Sequence, residues 1–180
     1  MNLHILHLDP HEIPKLLDDK RIGKMLMETN QMMSLAVKHH MREAGADYEA
    51  VTGEGKLTVG WSHYSHPVSI WVRKNYANFI FALKYADGLS AEFERRFGKP
   101  HASGERTKFI GLNLQNWIPG GIRTEFQNSA RHVGRGIDYS NLPIVSAYRS
   151  YMLDRWETDS YAPKWTTRED PRPMFEEYLR

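Results

Sequence analysis

Between Ile22 and Arg42 the apolar residues Ile22, Met25, Leu26, Met32, Met33, Ala36 and Val37 return at helical spacing and fall on one side of a 3.6-residue repeat. The spacing predicts an amphipathic helix over 22–42, which Gly45 ends. Pro67 suits the first turn of a second helix running to Asp87, with Ile70, Trp71, Phe79, Ile80 and Leu83 as its apolar set. A third helix is expected from Leu89 to Phe97, closed by Gly98 and Pro100, and a fourth after Pro143 over "IVSAYRSYMLDRW". Elsewhere the period breaks. "NLHILHL" at 2–8 reads as a short strand or, preferably, a buried extended lead-in, and "KLTVGW" at 56–61 allows a second strand. Within the stretch 101–138, "WIPGGIRTEFQNSARHVGRG" reads as loop and is a functional-loop candidate. After Asp159 come Pro163, Pro171, Pro173 and a terminal "FEEYLR" turn.

The expected fold is therefore mainly α: a compact single-domain helical fold with long loops and room for one short strand pair. Residues 1–160 form its helical catalytic domain, and 161–180 an aromatic and basic C-terminal tail packed on it. The sequence carries no internal repeat and no low-complexity segment.

Composition narrows the chemistry. A chain of 180 residues can bury a core without help from metal or disulfide, and the lack of cysteine removes disulfides, zinc–thiolate sites and thiol nucleophiles. No window has the apolar length of a membrane span, and "MNLHILHLDP" lacks the basic flank and apolar run of a signal peptide. The cytoplasm, a host's cytoplasm if a phage encodes the chain, is the expected setting, and a monomer the expected state. A net charge of +2 does not mark a nucleic-acid binder in bulk. Local clusters do: "RKNYANF" (73–79), "ERRFGKPH" (94–101), "SARHVGRG" (129–136) and "YAPKWTTR" (161–168) mix cations with aromatics or His. Cations meet phosphates and rings accept unstacked bases, although a solvated surface with aromatic anchors has the same composition.

On the first helix Lys20, Lys24, Glu28, Gln31, Lys38 and Arg42 share one sector, opposite Ile22, Met25, Met33 and Ala36. A solvated face with a Lys24–Glu28 pair explains this simply. Met27 and Leu35 interrupt the sector, however, so a helix covered on both sides is expected, with Glu28 held in a cleft among cations. His66 before Pro67 and His101 after Pro100 stand where a side chain can turn into such a cleft. His4 with His7, and His39 with His40, have no third ligand at metal-site spacing, so no metal and no cofactor is expected.

These residues carry a resemblance. Asp19, Glu28 nine positions on, and Lys38-His39 ten positions after the Glu resemble the helix of pyrimidine-dimer DNA glycosylases of the phage endonuclease V type. The opening "MNLHILHLDP" is similar to that of bacterial relatives. The pattern "DK-x-x-x-K-M-x-x-E-T-x-Q", then "HP…W-x-R…NY" and a late "KWT", resembles small uncharacterised phage proteins. The resemblance implies catalysis by the α-amine of Met1, which bulky Asn2 favours retaining, and by Glu28, with His66 as a third catalytic candidate. It implies damaged or modified DNA as partner, duplex or locally unpaired. The DNA-contacting candidates are Lys20, Arg21, Lys24, Gln31, Arg73, Arg96, His101, Lys164 and Trp165.

The chemistry is coherent. An α-amine ordinarily titrates near 8, so a useful fraction is neutral and can attack C1′ of a deoxyribose to give an imine. The Glu would orient the sugar and move protons. A flipped nucleotide also needs cations for the bent backbone and a wedge for the gap, for which Trp117 and Trp165 are candidates. Two other readings stay open: a phage DNA-hypermodification enzyme acting on modified pyrimidines, and a non-catalytic phage–host interaction or binding protein.

Overall fold

The computed structural model describes residues 1–55, 57 and 60–180. The fold is mainly α. Its helices run α1 (Ile13–Leu16), α2 (Asp19–Glu43), α3 (Glu49–Gly55), α4 (Pro67–Arg73), α5 (Tyr76–Phe97), α6 (Ala102–Phe109), α7 (Ile144–Thr158) and α8 (Arg172–Tyr178). Among the described residues one two-stranded antiparallel pair joins β1 (Arg131–His132) to β2 (Ile137–Asp138), with Arg131 opposite Asp138 and His132 opposite Ile137. Among the described residues no helix is long and apolar enough to cross a membrane.

The long helix starts at Asp19, three residues before the periodicity does, because Asp18 caps it. Asp18 is extended and its Oδ1 accepts the Arg21 N–H at 3.2 Å. Its other oxygen takes the Arg21 guanidinium and the Trp156 indole N–H. The apolar stripe of α2 is buried as expected, and α5, α4 and α6 pack around the helix. Leu35 is buried on the polar side too, but Met27 is 43% exposed. Cover on that side therefore begins beyond Met27, and the first turns of the polar stripe stay open.

The expected helix from Pro67 to Asp87 is two helices. The chain breaks at Asn75, whose extended backbone and Oδ1, accepting the Asn78 N–H at 2.9 Å, cap α5. Conversely, no break occurs before Leu89. Gly88 lies inside α5 as a close approach: a Cβ there would meet Pro14 at 3.2 Å and the His11 backbone at 3.4 Å. Gly98, at φ +65°, ends the helix in the left-handed conformation.

Ahead of the expected loop, the chain from 102 forms α6 and a π-helical turn, Ile110–Leu114, before it becomes irregular. Residues 2–8 form no strand. They form a lead-in that bends from Leu6 onward, where the Leu6 N–H donates to the His4 carbonyl at 2.8 Å, with Leu3, His4, Ile5 and Leu6 buried. The possible strand "KLTVGW" falls largely outside the described residues, and the strand pair lies instead at 131–138. The tail folds onto the start of α2. The Lys164 carbonyl accepts the Asp19 N–H at 2.8 Å, the Thr166 hydroxyl donates to Asp19 at 2.7 Å, and Trp156 lies against both Trp165 and Phe175.

Candidate active site

The polar stripe of α2 presents Glu28 to the N-terminal segment. Three contacts fix that segment at Asn2: the Tyr148 hydroxyl donates to its Oδ1 at 2.5 Å, its Nδ2 donates to the Ser129 carbonyl at 3.3 Å, and its backbone N–H donates to Glu28 Oε2 at 3.2 Å. Burial pushes the Tyr148 phenol well above its ordinary pKa, so it is a permanent donor near neutral pH. The Met1 side chain is only 2% exposed, and its sulfur accepts the Ser69 hydroxyl at 3.7 Å. Met1 as a whole is half-buried, so what it exposes is main chain. Its nitrogen lies 3.7 Å from Glu28 Oε2, while Glu28 Oε1 lies 3.9 Å from Lys24 Nζ.

Amine and carboxylate open onto a cavity of about 510 Å³ that His66, Arg21, Lys24, Arg131 and Arg155 also line, within the size range of small-ligand sites. Glu28 is the one acid among its described lining residues. Arg21 is held by Asp18 and Asp159, Arg155 by Asp159, and Arg131 by Asp138. Lys24, 60% exposed, is the accessible cation paired with Glu28, and Arg131 is equally open. The field is legible at buried His4, whose pKa falls well below the ordinary range through burial and then through Arg21, Lys24, Arg155 and the Met1 ammonium. His66 caps α4, its Nδ1 accepting the Val68 N–H at 3.2 Å. Burial, followed by the Met1 ammonium, lowers its pKa, so near neutral pH it is a neutral ring with its proton on Nε2.

Met1, Glu28, His66, Lys24 and Arg21 thus converge on one cavity. Lys20 sits beside it in sequence, its ammonium 3.7 Å from the Tyr161 ring, and Gln31 lies half-buried one turn beyond Glu28. Lys164 is exposed on the tail. Other candidates lie elsewhere. Arg73 stacks its guanidinium 3.9 Å from the centre of the Tyr64 ring, outside the cavity. His101 caps α6, with Nδ1 accepting the Ser103 N–H at 3.1 Å, and packs on Phe93.

Two assignments are corrected. The Arg96 side chain is fully buried and ties Glu92, Asp19 and the Leu17 carbonyl together, so it cannot reach a phosphate. Trp165 is buried against Trp156 and donates its indole N–H to the Leu16 carbonyl at 3.2 Å, which rules it out as a wedge. Trp117 does not line the cavity.

Sequence reasoning missed Asn2, Ser129, Tyr148, Arg131 and Arg155, and Tyr151, which lines the cavity. Only Arg131 and Ser129 carried a signal, inside the basic "SARHVGRG" cluster. Among the described residues no group of three or more His, Asp or Glu is placed to hold a metal ion. The chain matches no protein-family model, no curated protein and no solved structure.

Proposed function

We propose that the protein is a DNA glycosylase with strand-cleaving lyase activity, acting on a damaged or modified pyrimidine, in which a free α-amine at Met1 is the nucleophile and Glu28 handles protons. The observation that carries this reading is the 3.7 Å approach of the Met1 nitrogen to Glu28 Oε2, in a cavity whose lining side chains of fixed charge are otherwise cationic. The amine attacks C1′ of a deoxyribose, and the C1′–N bond breaks with its electron pair leaving on the base, which takes up a proton from water. Glu28 accepts a proton from the attached amine and returns it to O4′ as the sugar ring opens, giving a protonated imine. Loss of a C2′ proton then expels the 3′ phosphate, and hydrolysis frees the amine. The buried Met1 side chain holds the nucleophile in place, which limits the entropy lost on attack. Lys24 faces the phosphate, and neutral His66 offers an N–H to the sugar or leaving base.

Borohydride trapping on an oligonucleotide containing an abasic site tests the reading. The expected product is a covalent adduct that peptide mapping places on Met1 and that disappears when the amine is acetylated or extended. An adduct that persists with the amine blocked moves the nucleophile to Lys24 or Lys20. No adduct and no base release from any damaged DNA, with activity only on DNA carrying modified pyrimidines, selects the hypermodification enzyme. Inactivity on all of these selects the binding protein.

A further inference from the structure

Of the regions around the cavity, the β1–β2 hairpin combines rigidity with an apolar side chain that nothing covers. Val133 is 86% exposed at its tip and lines the cavity beside Arg131. A Cβ built at neighbouring Gly134 meets nothing within 4 Å, so the tip stands in open space. It is tied to the helix behind it and closed by bonds of its own. His132 Nδ1 and Arg135 both bond the carboxylate of Asp154, a buried residue of α7. The Tyr139 N–H donates to the Ala130 carbonyl at 2.9 Å. Gly136, at φ +67°, closes the turn by donating its N–H to the Val133 carbonyl at 3.1 Å.

We propose that this hairpin opens double-stranded DNA by inserting Val133 into the base stack, so that the substrate of the neighbouring cavity is a nucleotide drawn from a duplex. The inference rests on the reading of that cavity as a DNA-processing centre. An apolar side chain driven between base steps compensates the unstacking that flipping requires. Valine suits the task because its branched Cβ leaves little rotamer freedom to lose. Arg131 and Arg135 flank the tip, each using part of its donor fork on a carboxylate and each about half exposed, with N–H groups left for phosphates. Neither Trp117 nor Trp165 reaches this mouth.

The test uses the whole protein and two readouts. In the first, a duplex carries a reduced, uncleavable abasic analogue with 2-aminopurine beside it. Wild type is expected to raise the fluorescence several-fold by unstacking the reporter, Val133→Gly to lose most of the rise, and Val133→Ile to restore it. In the second, borohydride trapping by Val133→Gly is expected to fall about tenfold on an abasic duplex, the scale set by a lost unstacking contact. On the same strand unpaired the fall should be clearly smaller than on the duplex, and an unchanged thermal melt shows that the variant is folded. Equal signals from wild type and Val133→Gly, or no rise with wild type, overturn the hairpin's role. A Val133-dependent rise in a protein that traps neither strand keeps the hairpin and removes the amine chemistry, so the two failures are distinct.

Discussion

Replacing Glu28 with Gln separates chemistry from architecture, because the contacts of the two carboxylate oxygens differ in kind. Oε2 accepts the Asn2 N–H at 3.2 Å, and an amide oxygen can keep that bond. The same atom meets the Met1 nitrogen at 3.7 Å, beyond good hydrogen-bond reach, so that contact is chiefly Coulombic. Oε1 lies 3.9 Å from a largely exposed Lys24, a contact that solvent screens. The amide therefore forfeits two loose ionic contacts and no buried hydrogen bond, which sets the stability loss at about 1 kcal/mol or less. For a domain of this size that lowers Tm by about 2–4 °C. Loss of a proton acceptor and donor costs turnover about 10²–10⁴-fold. DNA affinity should stay within about twofold, since no phosphate-facing cation is touched. Single-turnover cleavage of an abasic duplex, a binding titration and a thermal melt on the same preparation measure all three. A variant that keeps more than about a tenth of wild-type turnover refutes the role given to Glu28. So does a turnover loss that merely tracks a fall in Tm well beyond the stated range.

Affinity for any DNA should fall steeply as salt rises, and Lys24→Ala should weaken binding across sequences and lower the salt slope by about one, as a titration between low and physiological salt would read out. Arg96→Met should leave DNA affinity unchanged but cost about 3–5 kcal/mol, because Glu92 and Asp19 lose a buried guanidinium; a melt within about 2 °C of wild type contradicts this. His4 is buried with its pKa held well below 6.5, so the unfolded chain binds a proton that the folded one refuses. Its contribution is complete above pH 6.5 and is lost as pH falls from there toward the folded pKa, at a slope of at most about 1.4 kcal/mol per pH unit. Chemical denaturation between pH 7.5 and 5.5 should show a slope of that sign, to which His66, His39 and His101 add because their pKa values are lowered as well, and His4→Gln should reduce it without abolishing it.

How much of this was legible in the sequence depends on the range of the interactions involved. The α2 helix was, since its periodicity is local, and so was the unusual place of Glu28 on its polar side. The break at Asn75 had a local signal as well, an N-cap residue three positions before Asn78, but the continuous apolar set from Ile70 to Leu83 masked it. Between the expected ends at Asp87 and Leu89 the helix runs on, and Gly88 there is a packing allowance for Pro14, which only the tertiary structure reveals. Arg96 and Trp165 look like DNA-contacting residues by composition. Their fates are set by Asp19 and Leu16, 77 and 149 residues away in the chain. The position of the amine was the least legible element, because it rests on Tyr148 and Ser129, which meet Asn2 across 146 and 127 residues.

Those long spans bear on the order in which the chain can fold as it is made. Asp18 and Asp19 start α2, yet their partners Trp156, Asp159 by way of Arg21, and Thr166 are synthesised last. While residues up to Thr166 are still inside the ribosome, α2 can form as an isolated amphipathic helix, but its first turn lacks the neighbours that bury it. The Met1–Asn2 segment likewise has no seat until Ser129 and Tyr148 have emerged. Closing contacts of such separation is slow relative to local helix formation. The amine proposed as nucleophile therefore precedes the partners that seat it by more than a hundred residues, and a chain stalled before Ser129 would carry Met1 and Glu28 without the Asn2 contacts that hold them together.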